Sequence, residues 1–160
     1  MNQITVSSIE KAVNKIDQLD EDGLERLSET YVLQQEELVG YLMSSALEYE
    51  NEQLLDLLIY YYNIFSEAIQ QQGLGYQKIT EEQIDIFQEE YISVLDEYME
   101  TDDVDLIETL CNQPNMLSFL VSEIEMEDEN GETLDDDTAT YLFIVGIAMI
   151  ALLNKSIKAA

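Results

Sequence analysis

The 160-residue chain has no histidine, no tryptophan, one cysteine and one proline. Without histidine it lacks the usual general base, the commonest transition-metal ligand and half of every Ser-His or Cys-His nucleophile pair. The Glu-x-x-His pattern of carboxylate-bridged di-iron bundles cannot be completed either. Cys111, standing alone, excludes an intramolecular disulfide. It falls at helical spacing with Val104 and Ile107, as a small buried hydrophobe would. Basic side chains are almost as scarce. Six Lys and Arg face 35 Asp and Glu, a formal net charge of −29. A basic patch is the electrostatic signature of nucleic-acid and anionic-lipid binding, so neither direct nucleic-acid binding nor membrane association is expected. Residues 1–6 hold no cationic stretch and no long apolar run, unlike a secretory signal. Together with the single cysteine this predicts a cytoplasmic protein.

Hydrophobic residues make up 46% of the chain, enough for a packed core, and the length suits one domain over residues 1–160. Apolar residues recur at 3–4 spacing almost throughout. A first helix is expected over 7–19, capped by Ser7 or Ser8, with Val6, Ile9, Val13, Ile16 and Leu19 as its apolar stripe. A second is expected over 24–49, interrupted in character by Gln34, Gln35, Glu36 and Glu37. The third, 52–71, is apolar on nearly all sides. Its polar residues Glu52, Asp56, Asn63 and Glu67 align on one narrow face that reads as solvated. Gly73 and Gly75 end it. Thr80 with Gln83 forms a capping box for a helix whose stripe is Ile84, Phe87, Tyr91, Leu95 and Tyr98. Thr101 is the expected cap of a short helix through Cys111, and Pro114 suits the first turn of the next.

The last apolar segment, 139–153, measures roughly 22 Å as a helix, short of a hydrocarbon core of about 30 Å. It reads as a helix buried on all sides rather than a tail anchor. Asp135, Asp136 and Asp137 before it and Lys155 and Lys158 after it suit the helix macrodipole. Gly146, Ala148 and Ala151 allow neighbouring helices to approach. The expected fold is therefore all-α: a single-domain bundle of six to seven helices around a hydrophobic, central C-terminal helix. A weak likeness between 47–58 and 95–107 falls short of a helical repeat.

Chemistry-bearing patterns are few. Calcium-loop frames at 126–137 and 18–29 both lack the acid required at the first ligand position. They read first as acidic turns, with a calcium-responsive protein as an alternative. Gly73-Leu74-Gly75 has no Lys-Ser/Thr after it and is no phosphate loop. No cofactor and no catalytic residue is expected. A second alternative is an apolar ligand held between the third and last helices. The consecutive Tyr60, Tyr61 and Tyr62 point in three directions, with hydroxyls expected to reach the surface.

The charge is the most informative feature. Residues 81–137 carry 21 acids and no Lys or Arg. Averaged over the protein, the net charge is about one per 280 Å², two to three times sparser than on B-DNA at ~107 Å². Along the helix at 81–100, eight acids give near one per 4 Å. A plain solvating role is the simplest reading. The functional reading is a non-catalytic binding protein of inhibitor, immunity or adaptor type, nucleic-acid mimicry included. Its acidic face would dock a basic protein surface through Glu82, Asp85, Glu89, Glu90, Asp96, Glu97, Glu100, Asp102 and Asp103, extended by the loop 123–137. Like-charge repulsion also predicts a fold firmer in moderate salt than without it.

Overall fold

The computed structural model describes residues 3–127 and 130–159. Among them are eight helices and one short two-stranded ribbon, an all-α bundle. The first helix, α1 (Val6–Asp17), is capped by Thr5, whose side chain accepts from the Ser8 amide; Ser7 and Ser8 lie inside it. Asp20 caps α2 (Glu21–Gln34) in the same way through the amide of Gly23 at 2.7 Å.

The long helix expected over 24–49 is two helices, α2 and α3 (Glu36–Glu48), parted at Gln35. Gln35 leaves helical geometry, at φ −140° and ψ 55°, and its side chain is fully buried. Its Nε2 donates to the Gln77 carbonyl and its Oε1 accepts from the Ile79 amide, both at 2.8 Å. A buried amide must satisfy both ends, and straightening the helix would carry this one away from residues 77–79.

Asn51 caps α4 (Glu52–Gln71), whose Leu54, Leu58, Phe65 and Ile69 are fully buried. After Gly73, at φ 75°, Leu74–Tyr76 forms β1. The expected capping box opens α5 (Glu81–Thr101): Thr80 accepts from the Gln83 amide and Gln83 accepts in return. The short helix α6 (Val104–Cys111) is capped by Asp103, while Thr101 ends α5. Pro114 is the first residue of α7 (Pro114–Glu125). Asp135 caps α8 (Asp136–Ser156), which runs into β2 (Ile157–Ala159). The two strands pair antiparallel, Gly75 opposite Lys158.

At 21 residues, α8 is longer than its apolar run suggests and is long and apolar enough to span a bilayer by length and composition. In this fold it is the core. Ile147 through Leu153 are at most 1% exposed, enclosed by α3, α4, α6 and α7. Gly146 makes room for α7: a Cβ there would lie 2.5 Å from Leu120 Cδ2. Gln113, at the α6–α7 corner, ties both chain ends together. Its Oε1 accepts from the Ile4 amide and its Nε2 donates to Asn154 Oδ1, each at 2.9 Å.

α1, α2 and α3 cover α4, whereas α5 packs mainly on α6 and touches α3 and α8 along one side. Tyr91 fastens α5 to α8 by donating its hydroxyl to the Ile144 carbonyl.

Candidate functional site

The apolar stripe of α5 turns Ile84, Phe87 and Tyr91 into the core, and its acids face outward. Glu82, Asp85, Glu89, Glu90, Asp96, Glu97 and Glu100 are all exposed. Helical rotation places Asp85, Glu89, Asp96 and Glu100 along the middle of that outer face. Ile86, Ile92 and Met99, at 58–64% exposure, share the face. Large apolar side chains left in water beside carboxylates make a mixed surface, unlike a purely solvating one.

Other residues assigned to the face have local duties. Asp102 closes α5 in a left-handed conformation, φ 54°. Asp103 accepts from the Asp105 amide at 3.1 Å as the α6 cap. One edge is partly neutralised, since Lys155 Nζ lies 3.8 Å from Glu90 and 5.9 Å from the centre of the Phe87 ring. The segment 123–137 does not simply extend the face. Glu123 is half-buried, and it lines a groove between α1 and α7 rather than α5. Burial pushes its carboxyl above the ordinary range, a Tyr61 hydrogen bond opposes this and the Asp17 charge adds to it.

A second polar centre, absent from the sequence expectations, lies inside the bundle. Glu67 is 2% exposed, not solvated. Its Oε1 meets Lys15 Nζ at 2.7 Å and accepts from the Tyr31 hydroxyl at 3.1 Å. Its Oε2 accepts from Gln71 Nε2 at 3.2 Å. The pattern of a buried acid is thus complete: a countercharge plus hydrogen bonds. Tyr62 donates to the Tyr31 carbonyl at 2.6 Å, and its hydroxyl lies 3.3 Å from that of Tyr76. Burial, and for Tyr31 also the Glu67 carboxylate, holds the Tyr31 and Tyr62 phenols well above their ordinary range. Of the consecutive tyrosines, Tyr60 turns its hydroxyl to exposed Asp17 Oδ1 at 3.3 Å and Tyr61 hydrogen-bonds half-buried Glu123, while Tyr62 keeps its hydroxyl inside. Tyr62 is fully enclosed because α4 has neighbours on every side over 61–69. The signal for this network was a lone Glu within a run of Phe, Ile and Ala, a place where a solvated acid has no water to face.

Asn63, one turn before Glu67, is also buried, at 2% exposure. Its Oδ1 has no hydrogen-bond partner. It lies at the floor of a groove of about 570 Å³ between α2 and α4. A buried amide oxygen left unpaired costs ~1–3 kcal/mol and requires a reason. Asp56, on the same groove, is exposed as the sequence predicts.

The two calcium frames differ in what they became. Residues 18–29 are the cap and body of α2: Asp20 is engaged by the Gly23 amide and Glu29 lies in mid-helix, so no ligand loop exists there. In the frame 126–137, Asp128 lies outside the described residues, Asp135 caps α8, and Asp137 is in its first turn. Among the described residues no three His, Cys, Asp or Glu side chains converge as a metal site. The seam between α4 and α8, the place named by the apolar-ligand alternative, is lined by fully buried side chains. Two grooves of about 570 Å³ lie elsewhere, one between α1 and α7 and one between α2 and α4. Cys111 is buried, its thiol pushed up to about 12 by burial, with Sγ 3.7 Å from the Ile147 carbonyl. Such a thiol is not nucleophilic at neutral pH. Comparison with protein-family models, curated proteins and solved structures gives no significant match.

Proposed function

We propose that this chain is a non-catalytic binding protein that docks a basic protein surface on the outer face of α5. The observation that carries the reading is the mixture on that face: Glu82, Asp85, Glu89, Asp96 and Glu100 interleaved with Ile86, Ile92 and Met99 at more than half exposure. Carboxylates alone would serve solubility. Carboxylates around exposed aliphatic side chains supply both the long-range attraction that speeds encounter and the apolar area that holds a complex once formed. Nucleic-acid mimicry fits the face less well, because those aliphatic residues interrupt the line of charge. No reaction is part of this reading.

The test starts with a partner isolated on the immobilised chain at low salt and then purified. Its association is followed by stopped flow. Reversal of Glu89, Glu90, Asp96 and Glu97 to Lys should slow association at low salt by tenfold or more, since steering accounts for ~10–10³ in rate. The wild-type rate should fall steeply with added salt. An on-rate indifferent to both would overturn the reading.

A further inference from the structure

The groove between α1 and α7 lies on other helices than the α5 face, and its lining is mainly apolar. On both helices the lining positions recur at the 3–4 spacing of a single face, from 6 to 14 on α1 and from 115 to 126 on α7. Phe119 is anchored to the core, its ring meeting those of Tyr61 and Phe65 edge-on at 6.1 Å. Ile9, on the opposite wall, is buried. Val6 and Met126 also line the groove, yet stand 55% and 60% exposed. Two large apolar side chains are thus left in water on either side of one trough, the mark of a surface made to be covered.

Two carboxylates border it, Glu10 and Glu123, and no Lys or Arg lines it. Among the described residues neither acid is in an ion pair. The contrast with Glu67 is direct, because that sheltered acid has Lys15 at 2.7 Å. Glu123 is half-buried with a Tyr61 hydrogen bond and no cation, and Asp17 adds a second negative charge nearby. A carboxylate partly withdrawn from water gains more from a countercharge than one on open surface does.

Size and charge select the occupant. The α7 wall from Asn115 to Met126 is about 16 Å long, roughly three helical turns. An open trough of that length between two helices fits a third helix, whereas a small molecule needs a pocket that encloses most of its surface. A second copy would bring a net charge of −29 against another −29, which opposes association. We propose that the α1–α7 groove receives an amphipathic helix of another protein, its apolar anchors seated along Val6, Phe119 and Met126 and a Lys or Arg on its flank paired with Glu123. Ridge-into-groove packing supplies the fit, and the flanking cation fixes which way round the helix lies.

The test is fluorescence anisotropy of the full chain with a labelled peptide of about four helical turns, built from Leu and Lys with its leucines on one face. Moderate salt screens diffuse attraction to the polyanion. The peptide should bind saturably and gain helical circular dichroism, and a scrambled peptide of the same composition should bind at least tenfold more weakly. Val6→Ser with Met126→Ser changes two exposed side chains, so the fold should be kept while binding weakens at least tenfold. Glu123→Gln, which still accepts from Tyr61, should weaken the Lys peptide severalfold and leave an analogue with Gln for Lys unchanged. Glu125→Gln removes the same charge from an exposed residue outside the groove and should change neither. The proposal is overturned if the scrambled peptide binds as tightly, if the Val6 and Met126 variant binds as wild type does, or if Glu125→Gln costs as much as Glu123→Gln. Sedimentation velocity should show a monomer. A dimer dispersed by Val6→Ser with Met126→Ser would assign the groove to a second copy and overturn the proposal as well. Failure here would leave the α5 reading intact, because the two experiments use different residues and different probes.

Discussion

Helices α4 and α5 have 20 and 21 residues, and both mix carboxylates with large apolar side chains, yet they turn them opposite ways. Over 61–69 α4 faces the core on every side and takes Asn63 and Glu67 in with it. α5 is held along one side and leaves Ile86, Ile92 and Met99 in water. The number of covered sides, rather than composition, decides where each polar or apolar group ends. A buried acid must then acquire partners, and an exposed aliphatic residue is free to acquire them from another molecule. Acids on the two helices should therefore respond to mutation with opposite signs.

The largest effect is expected at Glu67. Glu67→Ala removes the countercharge of Lys15 and strands the buried Tyr31 hydroxyl. Loss of one partner of a buried pair costs ~3–5 kcal/mol, and because Lys15 is half exposed the expected loss is at the lower end, about 3 kcal/mol. Urea unfolding measures it. Glu67→Gln, which keeps an acceptor for Tyr31, should lose less. If Glu67→Ala were as stable as the wild type, the contrast between the helices would fail at its strongest point.

Alkaline pH probes the same interior. The phenols of Tyr31, Tyr61, Tyr62 and Tyr91 are held above their ordinary range, in each case chiefly by burial. A raised native pKa means that the stabilisation is complete below the unfolded value near ~10 and is lost as pH climbs from there toward the native values. Each such group withdraws about 1.4 kcal/mol per pH unit over that window. The chain should unfold cooperatively above pH ~10, with phenolate absorbance and far-ultraviolet circular dichroism changing together. Separate transitions would mean that the hydroxyls are not enclosed as described.

A smaller change of opposite sign is expected on α5. Glu89→Gln, Asp96→Asn and Glu100→Gln remove like charges that repel along an exposed face, so the melting temperature at low salt should rise slightly. Moderate salt should raise that of the wild type, and the variant should gain less from it, because screening and neutralisation relieve the same repulsion. A wild-type melting temperature unchanged by salt would contradict this.

How far these features could be read from the sequence follows the range of the interaction behind them. The Thr80–Gln83 capping box, Pro114 at a helix start, the 52–71 helix and the close approach at Gly146 rest on local spacing or residue size, and all are present. The break at Gln35 was visible only as a polar stretch, because its cause is residues 77–79, more than forty positions away. The β1–β2 ribbon pairs three residues with three others across some eighty positions, too short for any alternation to show. Glu67 and Asn63 were misplaced for a related reason. Their 4-residue spacing defines a shared face but does not say whether a neighbour covers it, and α1 and α2 do. The outward α5 acids were legible because its buried stripe is regular, but the exposed Ile86, Ile92 and Met99 break the pattern that helix periodicity rewards.

The mildest stability change, and the sharpest for function, is predicted for those aliphatic residues. Ile92→Ser and Met99→Ser remove side chains at 58% and 64% exposure, which lose little apolar burial when truncated. Surface changes of this kind stay within about 0.5 kcal/mol, so the unfolding midpoint should barely move. Binding is expected to separate the two components of the face. The serine variants should keep the association rate, because every carboxylate remains, and should dissociate at least tenfold faster from a partner that uses the aliphatic residues as anchors. Charge reversal acts mainly on the other rate. Serine variants that dissociated as slowly as the wild type would reduce the exposed aliphatic residues of α5 to incidental surface, and the contrast with α4 would then be one of burial alone.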